Sequence, residues 1–273
     1  MRFRVERHEA LSSTNDRALE LARQGQELVA VIADRQTRGR GQRGKAWSSP
    51  DKAGLYVSFL IRPALEARRS PLLTLLAGVA VHDAVASQLS AVRVGLKWPN
   101  DLLVADGPLA RRKVAGILVE SATRDETVEY VVIGVGLNVA RAEHSSDDGR
   151  AVSLEELGAR ELSIDAHYPA LEQALVARLE DVQSEGTEWI AAAFNRRALG
   201  LGRQVSVRLG DSLIRGTFLG AAADGGLRIQ GHQAEQLIHS GELDPADLTE
   251  PLPLLVDSRA SLCYPSRSRD PGP

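Results

Sequence analysis

KVAGILVESATRDETVEYVVIGVGLNV, residues 113–139, holds the key to the fold: two runs rich in β-branched residues, Lys113 to Ser121 and Thr127 to Val135, flank Thr123-Arg124-Asp125-Glu126. Such runs on either side of a polar tetrapeptide read as an antiparallel hairpin. Val92 to Trp98 adds a further strand just before it, so strands cluster here instead of alternating with helices. That clustering predicts an α+β fold with a mixed β-sheet and helices, not a doubly wound α/β one.

Upstream, Ser13 caps a short amphipathic helix whose apolar positions are Ala18, Leu19, Leu21 and Ala22 and whose stop is Gly25. Leu28 to Ala33 and Leu55 to Ile61 read as buried strands, separated by a loop from Arg35 to Lys45. Ser70 and Pro71 read as the cap and first residue of an apolar helix reaching about Leu89. Downstream, Ser153-Leu154-Glu155-Glu156 is a capping box, and Tyr168 to Ser184 and Glu188 to Ala198 read as helices.

From Arg203 the texture changes to short strands, Val205 to Leu209, Leu213 to Leu219, Leu227 to Ile229 and Glu235 to His239, turning at Gly210-Asp211 and Asp224-Gly225-Gly226. A small β-barrel is expected, dividing the chain into a large domain over 1–199 and a small one over 200–250. Residues 251–273 carry five of the twelve prolines without periodicity and are expected to form a mobile tail.

Composition narrows the chemistry. The chain has 273 residues, 43% of them hydrophobic, and a net charge of −3, which suits a globular protein and argues against one that coats nucleic acid or membrane. A single cysteine, Cys263, excludes an internal disulfide framework or a thiolate cluster. The N-terminus lacks a secretory h-region, and the longest apolar stretch, Leu72 to Val81, is too short to span a bilayer. A cytoplasmic protein is expected. The six histidines lack metal-ligand spacing, and no G-x-S-x-G elbow is present.

Three segments carry candidate chemistry. Gln36 to Lys45 interleaves Gly39, Gly41 and Gly44 with Arg38, Arg40, Arg43 and Lys45 and contains no acid, so bare amides and cations could converge on a phosphate. The loop also satisfies G-x-G-x-x-G, but Trp47-Ser48-Ser49-Pro50 follows where a dinucleotide fold needs a helix. An exposed basic loop or a nucleic-acid patch is the competing reading. Lys97-Trp98-Pro99-Asn100-Asp101 sets a cation and two oxygen-bearing side chains at a strand end, suited to a Mg²⁺-nucleotide or simply to a turn. In the hairpin, Gly116 faces Gly134 and Gly136, leaving either a bare patch for a flat ligand or a seat for another element. Lys113, at the exposed strand end, is the candidate reacting cation.

In this order, Ser13-Thr14-Asn15, Gln36 with Gly39 to Trp47, Lys97 to Asp101, Lys113 to Glu120 and Gly134 to Asn138 resemble the biotin–protein ligases. The resemblance implies a catalytic domain related to class II aminoacyl-tRNA synthetases, followed by an SH3-like barrel. It implies biotin and ATP as substrates with Mg²⁺, and a biotin carboxyl carrier protein domain of a biotin-dependent carboxylase as acceptor. By motif, Lys113 and Arg40 are implied as catalytic. Ser13, Thr14, Asn15, Gln36, Arg40, Gly41, Gln42, Lys113, Gly116 and Ile117 are implied around biotin. Arg43, Lys45, Trp47, Lys97, Asn100, Asp101, Gly134, Gly136 and Asn138 are implied around ATP, with Asp101 as the Mg²⁺ ligand. The family loop usually reads Gly-Arg-Gly-Arg-x-Gly-Arg-x-Trp, and this chain departs from it at Gln42 and Lys45. The biotin motif starts at Ser13, without room for the DNA-binding domain of some members, so no DNA function is expected. Many relatives form homodimers. The alternatives are a lipoate–protein ligase and a non-catalytic biotinyl-adenylate-binding or RNA-binding module.

Overall fold

The computed structural model describes residues 1–142 and 150–248; the predicted tail lies outside the described residues. In chain order the elements are β1 (Arg4–Leu11), α1 (Thr14–Arg23), β2 (Val29–Gln36), β3 (Gly54–Ile61), α2 (Leu72–Ala86), β4 (Val94–Lys97), β5 (Asp101–Val104), β6 (Lys113–Arg124) and β7 (Thr127–Asn138). Then follow α3 (Ile164–Glu185), α4 (Trp189–Asn195), β8 (Gln204–Leu209), β9 (Ser212–Ala221), β10 (Leu227–Gln230), β11 (Glu235–Ile238) and β12 (Glu242–Leu243).

Seven strands form one sheet in the order β1-β2-β3-β7-β6-β5-β4, parallel only between β1 and β2. The expected α+β architecture is present. Side chains alternate across a strand, so each buried strand feeds two layers. On one face, Val29, Val31, Leu60 and Val132 pack against Ala18, Leu21 and Ala22 of α1. On the other, Leu55, Val57 and Phe59 join α2 and α3, with Phe59 stacked on Tyr168 at 6.1 Å and met edge-on by Phe3 at 5.0 Å. The five-stranded sheet β11-β10-β9-β8-β12 shares this core through Phe218, Leu227 and Ile229. The buried Trp98 also donates from Nε1 to the Gly225 carbonyl at 3.0 Å. No helix among the described residues is long and apolar enough to cross a membrane.

Several local expectations need correction. β1 was not anticipated: its charged sequence RVERHEAL suits an edge strand, where one side stays wet. The chain after the expected Pro-Asn turn forms β5, and the two-residue β12 carries no sequence signal. The cap expected at Ser70 is absent: α2 starts after Pro71, already in helical geometry, with no side chain accepting from its first amides. The capping box closes as read, with Ser153 N on Glu156 Oε2 at 3.0 Å and Glu156 N on Ser153 Oγ at 3.3 Å. It caps only a turn that ends at Gly158, whose φ of 79° takes the chain out of helical geometry.

Candidate active site

The site lies on the α1 face, where strand register brings distant residues into line. Tyr56 pairs with Gly136, Gly136 with Gly116, Gly116 with Asp101 and Asp101 with Lys97, so a single rung crosses β3, β7, β6, β5 and β4. Glycines at its centre leave a hollow, and the β4–β5 hairpin sets a buried ion pair at its end. Over this rung opens a cavity of about 430 Å³. Its lining includes every residue named above for biotin, ATP or catalysis: Ser13, Thr14, Asn15, Gln36, Arg40, Gly41, Gln42, Arg43, Lys45, Trp47, Lys97, Asn100, Asp101, Lys113, Gly116, Ile117, Gly134, Gly136 and Asn138.

At the α1 end the polar groups form one chain of hydrogen bonds. The Thr14 amide donates to Gln36 Oε1 at 2.8 Å, and Gln36 Nε2 donates to Ser49 Oγ at 2.8 Å. Ser58 Oγ, buried in mid-strand, lies 2.8 Å from Thr14 Oγ1 and 2.6 Å from Asn15 Oδ1. Buried polar groups persist only when paired, and here their partners fix the rotamers that face the cavity. Ser13 is the α1 cap, as read, accepting from the Asp16 amide at 3.4 Å.

At the opposite end, charges alternate. Lys45 meets Glu242 at 2.7 Å, Glu242 meets Lys97 at 3.3 Å, Lys97 meets Asp101 at 2.8 Å and Asp101 meets Lys113 at 2.9 Å. Burial alone would raise the Asp101 carboxyl, but the Lys113 and Lys97 ammonium groups outweigh it and hold the carboxyl below its ordinary range. Burial likewise opposes the charge on Lys97, and Asp101 and Glu242 overcome it, raising the ammonium above its ordinary value. Glu242 follows the same logic: burial works against its charge, and Lys45 and Lys97 prevail, lowering it.

The structure alters four of the readings. Lys113 is not an exposed strand-end group: its side chain is 21% exposed, tied to Asp101 and set over the Trp47 ring at 4.9 Å. Part of the loop's amide set is already paired within the loop: Gly41 N donates to Lys45 O, Lys45 N to Gln42 O and Trp47 N to Gly39 O. Among the loop's cations, Arg40 is itself paired with Glu120 and Asp16. The glycine patch is not bare either: a Cβ on Gly136 or Gly116 would come within 2.3 or 2.7 Å of the Trp47 indole, and one on Gly134 within 2.0 Å of Asn15 Oδ1. The indole is the flat group seated there. Finally, Asp101 does not fit a Mg²⁺ ligand. Both its oxygens are held by ammonium groups, whose charge would repel a dication at that distance.

Asn138 lines the cavity, but its Nδ2 donates to the carbonyls of Lys113 at 3.1 Å and Val152 at 3.4 Å, so it anchors the strand that carries Lys113. Asn100 Nδ2 donates in the same manner to the Ile117 carbonyl at 2.8 Å. Arg111, Arg150 and Glu242 also line the cavity and were not foreseen. Glu242 comes from β12 of the small sheet, more than a hundred residues along the chain from Lys97.

The biotin/lipoate A/B protein ligase family model matches residues 8–138, which contain the whole glycine rung and every member of the charge chain except Glu242. The biotin–[acetyl-CoA-carboxylase] ligase of Paracoccus denitrificans is 32% identical over 237 residues, covering 85% of this chain and 96% of that one. The chain belongs to this ligase family. A second family member, the bifunctional ligase/repressor BirA of Bacillus subtilis, is 30% identical over 241 residues, covering 87% of this chain and 72% of that one. The solved structure of the biotin protein ligase of Aquifex aeolicus in complex with biotin and ATP is also similar, with a TM-score of 0.72 and 27% identity, covering 88% of this chain and 97% of that one.

Proposed function

We propose that this ligase activates biotin with ATP to biotinyl-5'-AMP and then transfers the biotin to a lysine of a biotin carboxyl carrier protein domain, in the cytoplasm. In the first step a carboxylate oxygen of biotin attacks the α-phosphorus and pyrophosphate leaves. In the second the acceptor amine attacks the acyl carbon and AMP leaves with the bonding pair. Two anions must meet in the first step, and they repel unless cations lie between them in a site partly closed to water. The observation that carries the reading is the single cavity in which the Ser13–Thr14–Gln36 hydrogen-bonding end and the Lys97–Lys113–Arg111 cationic end lie over one glycine-floored rung.

In this reading Ser13, Thr14 and Gln36 face the ring system of biotin, Lys113 and Arg40 flank the carboxylate and α-phosphate, and Arg43, Lys45, Lys97 and Arg111 face the nucleotide. Trp47 leaves the glycines as ligands enter, which lets the loop close over the labile anhydride. No step runs through a metal held by Asp101. Residues 1–199 form the catalytic domain, similar to class II synthetases, and the five-stranded sheet within 200–250 is read as an SH3-like barrel that supplies Glu242 to the nucleotide end.

Biotin-dependent ATP–pyrophosphate exchange tests the activity. Exchange with biotin and not with lipoate is expected. Exchange with lipoate alone would select the sister ligase, and exchange with neither would select a binding module.

A further inference from the structure

Asn15 looks like a ligand contact, yet its hydrogen-bonding capacity is spent on the protein. A side-chain amide has two N–H donors. Nδ2 of Asn15 donates one to Glu120 Oε2 at 2.8 Å and the other to the Leu118 carbonyl at 3.3 Å. Its Oδ1 accepts from Ser58 and lies against Gly134, where even a methyl group could not fit. Asn15 is a strut between α1, β3, β6 and β7 with no hydrogen left for a substrate.

The carboxylate that holds it has a second task. Glu120 Oε1 accepts from Arg40 Nη1 at 3.0 Å and Oε2 from Arg40 Nη2 at 2.6 Å, a two-pronged pair that ties the glycine-rich loop to β6. Asp16 supports the same guanidinium from α1 at 2.8 Å. Asn15 is buried, whereas the Arg40 and Glu120 side chains are 38% and 27% exposed, so the contact with Arg40 is the one that faces water.

We propose that Glu120 is a positioning residue that couples the recognition groups at the start of α1 to closure of the glycine-rich loop, because one carboxylate holds both Asn15 and Arg40. Ligand that binds Thr14 at the start of α1 thereby steadies the Asn15–Glu120 strut and the loop, and a closed loop holds α1 in its binding geometry; such coupling is reciprocal. The identity of the ligand rests on the biotin-activating function proposed above, but the tether itself does not.

The test is Glu120→Gln, whose amide oxygen still accepts from Asn15 but carries no charge for Arg40. Trypsin cleavage at Arg38, Arg40, Arg43 and Lys45 reports loop opening. Without ligand, the variant loop should be cut about fivefold faster than the parent, and biotin should protect it far less. The biotin KM in the exchange assay should rise about fivefold with kcat within about twofold. Asp16→Asn, which loosens Arg40 but leaves the Asn15–Glu120 contact intact, should speed cleavage and raise the biotin KM less than Glu120→Gln does. Parental cleavage rates and biotin KM in Glu120→Gln would overturn the coupling, as would a lower melting temperature with unchanged protection by biotin. Absence of biotin-dependent exchange in the parent would instead count against the proposed function and leave the ligand-free cleavage comparison to judge the tether.

Discussion

Replacing Lys113 with alanine separates chemistry from scaffold. Its ammonium sits 2.9 Å from Asp101 and faces the cavity, so its removal takes one cation from the meeting point of carboxylate and phosphate. Loss of one preorganised charge of this kind costs on the order of 3 kcal/mol of transition-state stabilisation, about a hundredfold in rate. The scaffold loses less. Asp101 keeps Lys97 at 2.8 Å, so its carboxylate is not left unpaired, and the loss is one charge-assisted hydrogen bond together with the contact over the Trp47 ring, about 1.5–3 kcal/mol. For a chain of this size that lowers the melting temperature by roughly 3–6 °C. ATP–pyrophosphate exchange with saturating biotin, measured beside a thermal melt, reads both quantities. Exchange within about threefold of the parent would refute the catalytic assignment. A fall in melting temperature well beyond about 10 °C would show that Lys113 is mainly structural.

Asp101→Asn leaves Lys97 and Lys113 facing each other without an anion between them, and should cost about 3–5 kcal/mol at neutral pH by thermal melting. Because the Asp101 pKa is depressed on folding, its contribution is present above the ordinary carboxylate range and is lost as pH falls through the folded value. The melting-temperature gap between parent and Asp101→Asn should therefore narrow below about pH 4; an equal gap at pH 3 and pH 7 would contradict the charge chain. Gly134→Ala forces a Cβ to 2.0 Å from Asn15 Oδ1 and should raise the biotin KM at least about tenfold, whereas parental kinetics would show that α1 can shift without consequence. Gln42→Arg restores a cation at the cavity where the family loop usually has one, and should slow release of biotinyl-5'-AMP in a direct dissociation measurement; an unchanged release rate would make Gln42 neutral.

The parts of the fold that announce themselves in sequence are those whose signals are local. Ser13 and Gly25 bracket α1, the β-branched runs around Asp125 give the β6–β7 hairpin, and glycines at 116, 134 and 136 mark a close approach to the sheet. The identity of what approaches is not local. Trp47 and Asn15 fill those places because a loop and a helix fold over the sheet from far away in the chain. β1 escaped notice because an edge strand has no need of alternating apolar residues, and β5 because four buried residues beside a Pro-Asn turn carry too little pattern. The charge chain was half legible. Lys97, Asp101 and Lys113 stand out as charged residues at strand ends, but the pattern suits Asp101 to a metal, because sequence does not reveal that two lysines already claim its oxygens. Glu242 and Glu120 look like ordinary surface acids until register and packing set them beside Lys97 and Arg40.

A structure of the protein with biotinyl-5'-AMP bound tests the central claim most directly. The acyl-phosphate linkage is predicted to lie in the cavity between Arg40 and Lys113, within about 4 Å of the Lys113 ammonium, with the biotin rings toward Thr14 and Gln36 and the adenylate toward Lys97. An adenylate bound outside this cavity, with Lys113 remote from its phosphate, would contradict the account.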